Sequence, residues 1–90
     1  AAMDWFSLRF QLPVALTDHA RLRAVQRGIP ANLLADLVEN GNARYKDPTR
    51  FWLYREYPDR TDNLLCIAVS LEAHLVIKTV MHHWSPEEPA

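Results

Sequence analysis

The chain has 90 residues, 49 % of them apolar and 23 % charged, with a net charge of −1. That length suits one domain and not two, the composition excludes disorder along the whole chain, and the near-neutral charge argues against a protein that coats nucleic acid non-specifically. A lone cysteine, Cys66, excludes an intrachain disulfide, which fits a reducing cytoplasm, and the apolar runs are strand-sized, too short to span a membrane.

The chain opens without a basic stretch leading into an apolar one, so no secretory signal is expected, and Ala1–Ala2 ahead of Met3 read as a cloning remnant. Residues 5–12 alternate Phe6, Leu8, Phe10 and Leu12 with Ser7, Arg9 and Gln11. Period two predicts one β-strand, which Pro13 should end for lack of an N–H. Thr17 or Asp18 can cap a first helix that runs through HARLRAVQR and stops at Gly28. Leu22, Val25 and Ile29 share one side of it and are expected to face the core. Pro30 suits the first turn of a second helix, with Leu33, Leu34, Leu37 and Val38 as its apolar stripe and Asn40–Gly41 as its end.

From there the pattern is β. Residues 43–46 read as a short strand, 47–49 as a turn, 50–57 (RFWLYREY) as an aromatic-rich strand and 58–63 as a polar loop. Residues 64–71 (LLCIAVSL) suit a central strand buried on both faces, and 74–84 (HLVIKTVMHHW) a last strand. The expected fold is α+β: a single domain over 3–84, with an N-terminal strand and two helices on one face of a three- to four-stranded antiparallel meander. Residues 85–90 read as a polar, flexible tail.

The strongest chemical feature is on the first helix. His19, Arg23 and Arg27 follow one another every fourth residue and therefore stack in one stripe. Like charges at that spacing repel, so an anion nearby would relieve them, either a carboxylate from the sheet or a phosphate from a ligand. The same stripe also suits an ordinary solvated helix face whose arginine stems cover the sheet edge. On the aromatic strand, Phe51, Leu53 and Tyr57 share one face and Trp52 and Tyr54 the other. One set belongs to the core; the other suits base stacking, a partner interface or ordinary cross-strand packing. His82 and His83, adjacent on a strand, should face opposite sides. With no H-x-x-x-H and no C-x-x-C spacing, neither a metal nor another cofactor is expected. Cys66 reads as a buried, inert thiol, and His74 as solvated beside a turn.

The string H-A-R-L-R-A-V-Q-R-G-I (19–29), followed by an amphipathic helix, resembles the family of domain of unknown function 4258. That family opens with His, then Arg four residues on, then Arg-Gly-Ile, and closes on a Val-Ile-Thr-Val-like strand. Here the closing strand reads Val76-Ile77-Lys78-Thr79-Val80, with Lys78 inserted before the threonine. The similarity covers about residues 16–82. In layout the family is similar to the barnase–EndoU–colicin–RelE ribonucleases, and the BrnT toxins are comparable in size and element order.

The resemblance implies a metal-independent ribonuclease toxin with a RelE/barnase-like fold, acting in the cytoplasm and held off by a cognate antitoxin or immunity protein. Cleavage by 2′-OH attack needs proton transfer and cations on the phosphorane. Histidine, with an ordinary pKa of about 6.5, serves the first need and the arginine fork the second. His19 would transfer the proton while Arg23 and Arg27 clamp phosphate. Thr79 would bind a phosphate oxygen or orient His19, and His82 or Lys78 would supply a second proton role or another cation. Arg21, Lys78, Trp52 and Tyr54 complete the expected RNA contacts. Against this, RelE-type toxins are basic and this chain is not. A non-catalytic protein-binding module and an antitoxin or immunity protein are the rival expectations, and exposed aromatics on an edge strand would also suit a homodimer.

Overall fold

A computed structural model describes residues 3–87. The fold is α+β. Its elements are β1 (Trp5–Ser7), β2 (Leu12–Leu16), α1 (Asp18–Gln26), α2 (Ala31–Asn40), β3 (Asn42–Asp47), β4 (Arg50–Arg55), β5 (Leu65–Leu71) and β6 (Leu75–Met81). They form one six-stranded sheet in the order β1–β2–β6–β5–β4–β3. Strands β3 to β6 are the expected antiparallel meander. The sheet as a whole is mixed, because β2 pairs in parallel with β6 through Val14–Leu75, Ala15–Val76 and Leu16–Ile77.

The core lies between the helices and one sheet face. Val14, Ile29, Leu34, Leu37, Val38, Phe51, Leu53, Leu65, Ile67, Val69, Leu75, Ile77 and Val80 are buried together there. Alternation explains the β4 members: Phe51 and Leu53 point in, while Trp52 and Tyr54 are half-buried on the opposite face. Among the described residues no helix is long and apolar enough to cross a membrane.

The expected single strand over 5–12 is instead a hairpin, β1–β2, that reverses at Leu8–Gln11. A distant carboxylate holds the reversal. Glu39 of α2 accepts from the Ser7 hydroxyl at 2.6 Å and from the Leu8 and Arg9 N–H groups at 2.9 and 3.0 Å. Pro13 therefore does not end a strand. It lies within β2 opposite Phe6, and pairing to β6 starts only at Val14, so its missing N–H breaks no bond to β6.

Helix α1 is capped by Thr17, whose hydroxyl accepts from the Ala20 N–H at 3.0 Å, and is followed by Gly28 at φ +61. Its core face is not the expected one. Leu22 is 53 % and Val25 80 % exposed, whereas Ala20 and Ala24 are buried and only Ile29 of the predicted trio is in the core. The reason is β2's brevity. β2 pairs with β6 only as far as Ile77, and α1 continues along the edge that β2 leaves open. Alanine on the inner side lets the helix come close. The residues that flank α1 then satisfy the exposed strand carbonyls: Thr17 donates to Lys78 C=O at 3.2 Å and Arg27 to Val80 C=O at 2.6 Å.

Two ends also differ. β4 stops at Arg55, so Tyr57 lies beyond the strand, where its hydroxyl donates to Asp36 of α2 at 2.5 Å. β6 stops at Met81, so His82 and His83 are in a bend and not on a strand. Their rings sit 4.7 Å apart, with His83 at φ +50, and do not face opposite sides. The chain folds back there to tuck Trp84 against Tyr54, ring centroids 5.0 Å apart. His74, expected to be solvated, is half-buried. Of the expected tail, Ser85 and Pro86 are half-buried, while residues 88–90, like Ala1 and Ala2, lie outside the described residues.

Candidate functional site

The α1–β6 seam brings together four of the residues singled out in the sequence. His19 Nε2 lies 3.2 Å from the Thr79 hydroxyl, which bridges the start of α1 to the middle of β6. Arg23 and Arg27 follow at successive turns, both half-buried. Arg23 Nη1 donates to Gln26 Oε1 at 2.7 Å, and Arg27 uses Nη1 on the Val80 carbonyl. Eight residues of helix put His19 and Arg27 about 12 Å apart, with Arg23 midway.

Among the described residues no carboxylate is in ion-pair contact with this stripe, although Asp59 and Asp62 border the same depression as Arg27. Among the described residues none of His19, Arg23 and Arg27 makes an ion pair, although Asp4, Asp36, Asp47, Asp62 and Glu72 each pair with a cation elsewhere. Of the two ways to relieve the repulsion, a carboxylate ion pair is not formed, which leaves an incoming anion.

The insertion before Thr79 has a structural role. Ile77 pairs with Val69 and Thr79 with Ala68, so Lys78 is the extra residue of a β-bulge. Were Lys78 paired in regular register, strict alternation would turn Thr79 to the core with Ile77. The bulge absorbs the extra residue, so Val80 returns to the core and Thr79 faces the far side of the sheet, in a cross-strand row with Ala68, Trp52 and Arg44.

No family model, curated protein or solved structure gives a significant match to the chain.

At the far end of the stripe, His82 meets a group that sequence reasoning missed. Its Nδ1 lies 2.9 Å from Asp62 Oδ2. Arg60 grips the same carboxylate through Nε at 2.9 Å and Nη2 at 2.8 Å, and its guanidinium also donates to the carbonyls of Gly28 (2.8 Å) and Arg27 (3.0 Å). Arg60, opposed by burial and aided by His82, holds the Asp62 carboxyl well below the usual carboxylate range. Asn63 fixes the loop by accepting from Tyr57 N–H and donating to the carbonyls of Tyr57 and Arg60. The result is a depression of about 460 Å³ lined by Gln26, Arg27, Asp59, Arg60, Asp62 and His82. In sequence, the only signal for this cluster was a polar loop.

Of the remaining expected contacts, only Lys78 and Trp52 border a common groove. Arg21 turns away from the stripe and pairs with Asp4 at 2.7 Å. Lys78 pairs with Glu72 at 3.1 Å. Tyr54 is covered by Trp84, so Trp52 is left as the open aromatic of the pair. Cys66 is buried.

Proposed function

We propose that the protein is a metal-independent ribonuclease acting in the cytoplasm as a toxin, with the α1–β6 seam as its catalytic face. One observation carries this reading: a histidine and two arginines share a helix stripe with which no carboxylate of the described residues forms an ion pair. The resemblance of residues 19–29 to the family of domain of unknown function 4258 supports it, and the bulge at Lys78 offers a way for this chain to carry an extra residue ahead of the family's threonine.

In the proposed reaction the RNA 2′-oxygen bonds to the adjacent phosphorus as the bond to the 5′-oxygen breaks, leaving a 2′,3′-cyclic phosphate and a 5′-hydroxyl. His19 takes the 2′-OH proton, and Thr79 orients its ring. Arg23, with the donors Arg27 has left, stabilises the phosphorane oxygens. A phosphate held at Arg23 sits about 6 Å along the helix from either end of the stripe. His82, with Nδ1 held by Asp62, is placed at the Arg27 end to protonate the leaving oxygen.

The test is inducible expression of wild type beside His19→Ala in a bacterial host, with total RNA on a gel and the purified proteins assayed in EDTA. Growth arrest with EDTA-resistant cleavage, lost in a folded His19→Ala protein, is the expected result. Continued cleavage by that variant, or intact RNA with the wild type, overturns the reading.

A protein-docking reading draws on another surface. Beside exposed Val25, a groove of about 440 Å³ runs between the helices and the β1–β2 hairpin, lined by Trp5, Leu16, Ile29, Pro30 and Leu34. An antitoxin or other protein partner would suit it. If this surface is the whole function, Arg23→Lys is harmless and Val25→Glu is not.

A further inference from the structure

We propose that the open face of the sheet carries a nucleotide subsite, a groove that seats one base of single-stranded RNA on Trp52 beside the His19–Thr79 contact. The ligand's identity as RNA rests on the ribonuclease reading above; the groove itself stands on separate observations. It has a volume of about 350 Å³ and is lined by Lys46, Arg50, Trp52, Ala68, Ser70 and Lys78. Trp52, Ala68 and Thr79 stand in one cross-strand row, two strand spacings or about 10 Å from end to end. Ala68 between them is short, so the row is stepped, with an indole at one end and the candidate catalytic contact at the other. Because Trp84 covers Tyr54, the platform takes a single base and not a run.

The cations round this groove are placed by the sheet's irregularities. Lys78 is the extra residue of the β5–β6 bulge, and Lys46 is the extra residue where the β3–β4 register shifts. Bulges re-aim side chains, and these two border the same groove. Lys46 makes no ion pair among the described residues. Arg50 and Lys78 pair with Asp47 and Glu72 through exposed side chains, and such pairs yield to a phosphate at little cost. An aromatic floor with cations on its rim matches a stacked base and its flanking phosphates. A protein partner would instead favour a broader apolar centre.

The probe is a short fluorescently labelled oligodeoxythymidylate, which lacks the 2′-OH and so reports binding without cleavage. Anisotropy at low salt is read for wild type, Trp52→Ala and Lys46→Glu, with thermal melts for each. Trp52→Ala is expected to weaken binding about 5- to 150-fold, the worth of one stacked base. Lys46→Glu, at an exposed position, is expected to weaken binding and to make log K against log salt shallower by about 0.7, one phosphate contact. No binding by wild type, or wild-type affinity in both folded variants, overturns the proposal. Binding that both variants weaken, with no cleavage of RNA by wild type, keeps the groove and removes the nuclease. Cleavage with an unchanged KM in both variants keeps the nuclease and removes the groove.

Discussion

Asp62 is the joint between the end of β6 and the end of α1, and its charge can be removed without changing its shape. In Asp62→Asn, Arg60 and His82 keep a neighbour of the same size but lose the ionised partner they share. Hydrogen bonds to a charged group contribute about 1.5–3 kcal/mol each. Here they converge on one carboxylate, so they do not add, and the amide oxygen retains part of one. The side chains of Arg60 and Asp62 are 21 % and 16 % exposed, so water replaces the lost partner poorly. The expected loss is about 2 kcal/mol at neutral pH. With an m-value of about 1 kcal/mol/M for so small a domain, the urea midpoint should fall by about 2 M. The pH dependence has a definite sign. Arg60 lowers the folded-state pKa of Asp62, so its contribution is complete above the unfolded value near 3.9 and is lost as pH falls through the lower, folded value. The gap between wild type and Asp62→Asn should therefore be full at neutral pH and narrow below about pH 4. Equal midpoints at neutral pH, or a gap unchanged in acid, would refute the reasoning.

Three further outcomes follow from the seam and its supports. Val25→Ser, at an 80 % exposed position, should change stability by no more than about 0.5 kcal/mol, whereas Ala24→Leu should cost about 1–3 kcal/mol by pushing α1 off β6; urea melts of the two decide which face of α1 is the inner one. Gly41→Ala should cost about 1–3 kcal/mol in the same assay, because its Cβ would stand 2.4 Å from the Leu37 carbonyl oxygen, which α2 cannot move. Arg23→Lys should leave the melt unchanged and lower cleavage about tenfold or more, since an ammonium cannot reproduce a two-pronged grip on phosphate.

The local signals in the sequence were sound where the determining contact is local. Thr17 caps α1, Gly28 ends it at positive φ, the α2 stripe faces the core, and the alternation in β4 separates Phe51 from Trp52 as the residues suggest. Where the determinant is distant, the reading failed. The turn at Leu8–Gln11 depends on Glu39, some 30 residues away, and contains no glycine to mark it. The inner face of α1 is set by an open strand edge, which favours alanine, whereas hydrophobicity alone nominates Leu22 and Val25. The polar stripe was legible because helix periodicity is local. The Asp62–His82 contact was not, because it needs the bend after Met81 and a loop ordered by Asn63.

The parallel pairing of β2 with β6 has a consequence for when the seam comes into being. His19 and Thr79 are 60 positions apart, and most contacts of α1 with the sheet are to the last strand. A chain emerging from the ribosome at about 5–20 residues per second presents α1 several seconds before the strand it packs on. A helix of nine residues is marginal without its packing partner, so through that interval the histidine and arginines hold no fixed stripe, and the groove beside Thr79 does not exist. The stripe on α1 and the threonine on β6 therefore come together only when β6 closes the sheet.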